Sequence, residues 1–142
     1  MAGKDSRAIA AFSDAVATQP LDVELLIDRA FAYAGLGRYA EAINDLSRAL
    51  EMAPGRADAY LYRAGAYRRV NDLALAAKDV DRSLALRPGN PDAYLERGII
   101  RRLSGDDIGA GGDWRRVIET APKSAAARDA HRNLERIRAP VQ

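Results

Sequence analysis

Few residues in this chain could do chemistry. It holds one histidine, His131, and no cysteine among 142 residues. A transition-metal site draws on several histidine, cysteine or carboxylate ligands in a tight spacing, so little is available for one here. Nucleophilic catalysis needs a nucleophile, a base beside it and a third group to orient the base. A lone histidine on a terminal helical stretch offers no such set. Two glycine-rich stretches remain. Gly35-Leu36-Gly37-Arg38-Tyr39-Ala40 fits a loose dinucleotide fingerprint, and Gly109-Ala110-Gly111-Gly112 has the outline of a phosphate loop. The first motif works only between a strand and a helix, and the second needs a following Lys-Ser/Thr. Here the first joins two helical runs, and Asp113-Trp114 follows the second. No catalytic residue, metal ligand or cofactor is assigned, and the chain reads as not an enzyme.

What these residues belong to is a repeat. Pro20, Pro54, Pro88 and Pro122 are 34 residues apart. Other columns keep the same spacing: Arg29, Arg63, Arg97, then Asp45, Asp79, Asp113, and Ala42, Ala76, Ala110. Self-similarity at this period marks a stack of supersecondary units. Within the first unit, Leu25, Leu26, Ala30, Tyr33 and Leu36 recur at helical spacing, Gly37 interrupts, and Ala42, Ile43, Leu46, Ala49 and Leu50 form a second run. Pro54 closes it, since proline has no amide to donate and clashes with the preceding turn. Each unit is therefore helix, turn, helix, turn.

The columns pair small residues (Ala30, Ala64, Gly98) with bulky ones (Leu46, Val80, Trp114). Together with Tyr33, Tyr67, the alanine column, the closing prolines and the turn Leu36-Gly37-Arg38-Tyr39, they resemble the tetratricopeptide repeat. The chain departs from that pattern at Leu26, Ser83 and Arg101. The resemblance implies an all-α fold: a right-handed superhelical stack of helix-turn-helix hairpins with about eight helices. On that reading residues 1–142 are one domain, made of a half repeat (5–20), repeats 22–55, 56–89 and 90–123, and a capping helix (124–138). Arg128, Arg132 and Glu135 occupy the columns of Tyr94, Gly98 and Arg101, which gives the last helix a wet outer face, with Pro140 as its stop. At the other end the half repeat lacks its first helix. Either the chain is a piece of a larger repeat protein, or Ile9, Phe12 and Val16 form a self-association face, with a homodimer through the N-terminal end.

The same resemblance implies that the first helix of each unit lines a concave groove. The groove residues are then Ile27 and Phe31 in the first unit, Leu61, Arg68 and Arg69 in the second, and Leu95, Ile99 and Arg102 in the third. Glu24, Asp58 and Asp92 make an acidic edge. Apolar anchors beside arginines suit a peptide or helix with apolar and acidic residues. Some family members grip a chaperone's terminal carboxylate with lysine and asparagine. Ile27 and Phe31 stand in those places, which speaks against that activity.

Composition narrows the rest. The chain is 48% hydrophobic and 30% charged, as folded domains are. It has 22 basic and 20 acidic residues, and a net charge of only +2 argues against the broad electrostatic footprint of a nucleic-acid binder, despite Arg68, Arg69, Arg101 and Arg102. No apolar run is long enough to span a membrane, and no basic-then-apolar leader is visible. Absence of cysteine fits the cytoplasm and leaves the periplasm, or a larger exported protein, open. The reading is a non-enzymatic protein-interaction module binding a peptide or helix in its groove. The alternative is a self-assembly or docking module using the N-terminal half repeat. The arginine and aspartate columns are either a structural ladder or ordinary solvated charges. The glycines of 109–112 mark either close packing against Trp114 or the last helix, or a labile helix.

Overall fold

A computed structural model describes residues 2–139, and these form eight α-helices and no strand. They are α1 (Ala2–Thr18), α2 (Val23–Gly35), α3 (Tyr39–Met52), α4 (Ala57–Arg69), α5 (Leu73–Leu86), α6 (Pro91–Leu103), α7 (Asp107–Thr120) and α8 (Ala125–Arg138). Helices α2, α4, α6 and α8 start 34 residues apart, as do α3, α5 and α7. The expected stop at Pro140 lies outside the described residues.

Local chemistry sets these boundaries. Side chains of Asp22, Asp72, Asn90, Asp106 and Ser124 accept amide hydrogen bonds at the helix starts, which satisfies donors that the first turn leaves orphaned. The three hairpin turns share one geometry. Gly37, Asn71 and Gly105, again 34 apart, adopt positive φ of 73°, 63° and 89°. At each, the next residue's amide reaches back to a carbonyl five residues earlier: Arg38 to Tyr33, Asp72 to Tyr67 and Asp106 to Arg101. This is the left-handed cap that glycine or asparagine permits at least cost.

The helices alternate between two layers. Outer helices α3, α5 and α7 each pack against the inner helices on both sides, while α1 packs on α2. Inner helices α2, α4, α6 and α8 also touch one another, and no outer pair does among the described residues. The inner surface is therefore the short, concave side. The core forms two clusters, one from Val16 to Ala59 and one from Ala64 to Leu134.

The charge columns are a ladder. Arg29 donates from Nε and Nη2 to both Asp45 oxygens at 2.7 Å, Arg63 does so to Asp79 at 2.6 and 2.8 Å, and Arg97 to Asp113 at 3.0 and 2.8 Å. Each arginine reaches the preceding outer helix with its third nitrogen, to Ser13, Ser47 or Asp81. The aspartates are buried, and hydrogen bonding to them raises the pKa of all three guanidiniums against the opposing effect of burial.

The three departures from the family pattern have physical accounts. Leu26 is wholly buried in the core. The Ser83 hydroxyl donates to the Ala57 carbonyl at 2.8 Å, so its polarity is satisfied. Arg101 replaces a tyrosine and donates to Asp113 at 2.9 Å, which gives that carboxylate a second cation.

The glycines of 109–112 are not packed against Trp114. The residue that makes room for the indole is Gly98, where a Cβ would lie 2.2 Å from Trp114 Nε1. That nitrogen donates to the Leu95 carbonyl at 3.2 Å. At Gly109 a Cβ would meet the capping Asp106 carboxylate, and at Gly112 it would meet open space.

Three stability measurements follow. Asp79→Ala leaves Arg63 without its buried partner and is expected to cost about 3–5 kcal/mol in urea unfolding. Gly98→Ala is expected to destabilise by overpacking, on the order of 1–3 kcal/mol. Gly112→Ala, in an open helix interior, should stabilise by up to about 1 kcal/mol.

Candidate peptide-binding groove

The concave side of α2, α4 and α6 holds a cavity of about 590 Å³. Five of the residues expected to line the groove do so: Phe31, Leu61, Arg68, Arg69 and Leu95. Phe31 is 60% exposed and meets Tyr62 edge to face, with ring centroids 4.9 Å apart. Exposed aromatics in a concavity are unusual, because burying them would stabilise the fold. Ala34, Gly65, Asp58 and Asp92 complete much of the wall.

Three expectations are corrected or refined here. Ile27 is only 5% exposed and shares a core cluster with Val16 and Leu26, so it is core and not groove. Helix α1 covers it by packing on α2. Ile99 and Arg102 are half-buried and do not line the cavity, and Ile99 packs on the C-terminal core instead. Of the three residues expected at an open N-terminal face, Ile9 and Val16 are buried in the fold. Only Phe12 is half-exposed, flanked by half-exposed Ala8 and Ala15. The columns do not predict this: Phe12 corresponds to Leu46, which is buried, and Ile9 to Ile43, which is half-buried.

The arginines divide into paired and unpaired. Arg68 on α4 donates to Glu96 on α6, and Arg101 is held by Asp113. Two of the four arginines considered for nucleic acid are thus neutralised within the fold. Arg69 makes no ion pair among the described residues and stacks over Tyr39, its guanidinium carbon 5.1 Å from the ring centroid. Stacking leaves the guanidinium edge able to fork onto a carboxylate. On the acidic edge, Arg56 bridges Glu24 and Asp58, so only Asp92 of that trio lacks an ion partner among the described residues. The Arg56 guanidinium holds the Asp58 carboxyl below its ordinary range, and burial raises the nearby Tyr62 phenol, helped by Asp58 and Asp92.

Several wall residues were not anticipated: Tyr39, Tyr62, Arg87, Asn90 and Glu96. Tyr62 and Glu96 form a column with Asp28, one residue beyond Leu61 and Leu95. That column was legible, but nothing in it distinguishes a wall residue from a solvated one.

The profile of the tetratricopeptide repeat matches residues 2–65. The solved structures most informative about this arrangement include tetratricopeptide-repeat domains that superpose over most of the chain. Over residues 2–65 the chain matches the tetratricopeptide repeat, and its eight-helix fold is that of a tetratricopeptide-repeat-like solenoid. A crystal structure of MamA has a TM-score of 0.81 at 23% identity, covering 95% of this chain and 80% of MamA. The first repeat domain of Spaghetti (RPAP3), bound to the HSP90 peptide SRMEEVD, has a TM-score of 0.73 at 25% identity, covering 82% of this chain and 96% of that domain. The second such domain of human RPAP3, in complex with the HSP70 peptide SGPTIEEVD, has a TM-score of 0.73 at 23% identity, covering 84% and 100%. No curated protein matches the sequence. Among the described residues, no helix is long and apolar enough to cross a membrane.

The Asp58–Arg56 pair sets a pH dependence. A carboxyl whose folded pKa lies below its unfolded value adds stability that is complete above the ordinary value of 3.8 and lost as pH falls through the folded one. Arg56→Gln is expected to return the Asp58 carboxyl toward 3.8 in a carboxylate NMR titration and to flatten that part of the acid limb.

Proposed function

We propose that the concave groove holds a segment of another protein, with an apolar side chain against Phe31 and Tyr62 and a carboxylate on Arg69. The exposed edge-to-face aromatic pair carries this reading, because it sits in a concavity and stays exposed there among the described residues. Aromatic residues and arginine are the side chains that most often dominate binding energy at such surfaces. Leu61 and Leu95 extend the apolar floor, and Gly65 keeps it open. The role is non-enzymatic.

The peptides held by the two RPAP3 domains carry apolar residues beside several acids. That combination agrees with an apolar floor next to an unpaired arginine. The mode of grip differs from a lysine–asparagine carboxylate clamp, since Ile27 is core and Phe31 is aromatic. Arg68 serves the wall through Glu96 and is not the primary contact.

An array of peptides bearing one apolar residue within three positions of an acid tests this. Peptides bound by the native chain are expected to bind at least about tenfold more weakly to Phe31→Ser and to Arg69→Glu, a loss of about 1.4 kcal/mol or more each. Arg69→Lys should lose less than Arg69→Glu. Binding untouched by both substitutions places the partner elsewhere.

A further inference from the structure

The hairpin tips carry apolar residues that the groove does not use. Val70 and Leu75 flank the α4–α5 turn at 48% and 40% exposure, and Leu103 and Ile108 flank the α6–α7 turn at 56% and 88%. The two turns belong to successive hairpins, with Asn71 and Gly105 at equivalent positions. None of the four lines the cavity. Burying any one of them within the fold would stabilise it, so one edge of the stack forgoes a free energy that another surface could recover.

Charge on the same edge says what that surface is. Arg102 precedes Leu103, and Asp107 precedes Ile108. Neither makes an ion pair among the described residues, although Arg101, next to Arg102, is paired with Asp113. With Arg69, Asp72 and Asp106 also outside any ion pair among the described residues, the two tips carry unpaired charge of both signs, and an apolar edge of that kind is complementary to itself. A two-fold rotation sets Arg102 of each copy against Asp107 of the other, with Ile108 near the axis. We propose that this edge docks on a second copy of the chain, forming a two-fold dimer through the α4–α5 and α6–α7 tips. The patch is short, which puts the contact at the small, reversible end of interface sizes. Both grooves stay open in such a dimer, so a partner with two binding segments gains avidity. The proposal does not involve α1, and it does not depend on what the groove binds.

Sedimentation velocity of the full chain over a concentration series tests it. A monomer–dimer equilibrium is expected, and Ile108→Glu should weaken it by at least about tenfold, while Leu21→Glu, 79% exposed in the α1–α2 connection, leaves it unchanged. Ile108 makes no buried contact, so this variant should keep the native helical circular dichroism. Arg102→Asp and Asp107→Arg are each expected to weaken the dimer, and the double reversal to restore it. A chain that stays monomeric at every concentration overturns the proposal. So does a dimer that survives Ile108→Glu, or one that the double reversal fails to restore.

Discussion

One arginine on each of α2, α4 and α6 ties that helix to the helices before and after it, and the rest of the stack is arranged around that tie. Arg29, Arg63 and Arg97 each fork onto a buried aspartate of their own hairpin and reach back to the outer helix before it. A bidentate guanidinium–carboxylate pair has a narrow geometry, so it sets the angle between helices as well as holding them. Burial makes it demanding, because a buried charge without its partner is costly. The ladder therefore specifies how hairpins stack more than it adds to stability. Where the third unit places Arg101 in the tyrosine column, Asp113 absorbs the extra cation and the register is kept.

That register decides which side is concave and which residues face it. Small residues on inner helices let outer helices close in, down to Gly98 beneath the Trp114 indole. Inner helices then approach one another while outer ones stay apart, and the groove results. Its wall is assembled from side chains that are not needed elsewhere. Arg68, Arg56 and Arg101 are consumed by internal pairs, while Arg69 stacks on Tyr39 and keeps its fork free. A count of arginines on a helical stripe overstates the cation available to a ligand. Geometry separates structural arginines from those that can recognise something.

The fold was legible because its signals are local and repeated. Capping residues, left-handed turn positions and the small-to-large columns recur at one spacing, so each unit corroborates the next. The groove was legible in part. Phe31, Leu61, Arg69 and Leu95 follow from the resemblance, which assigns the groove to a stripe of the first helices separate from the core columns. Ile27 lies on that same face, yet α1 covers it. The last turn of an inner helix was equally ambiguous: neighbouring Arg68 and Arg69 have different fates because Glu96, 28 residues away, sits within reach of only the first.

The sequence by itself determined the repeat length, the helix and turn positions, the all-α class and the arginine and aspartate columns, while their pairing into a ladder came from the tertiary structure. Periodicity reports which face of a helix is apolar, and that depends only on residues a turn or two apart. The tertiary structure alone decided which of those apolar faces stays exposed and which charges stay unpaired. Ile9, Val16 and Ile27 are covered, while Phe31 and Ile108 are not. Exposure and pairing depend on the neighbouring helix, whose distance and rotation are set by packing and ion pairs that no single repeat contains.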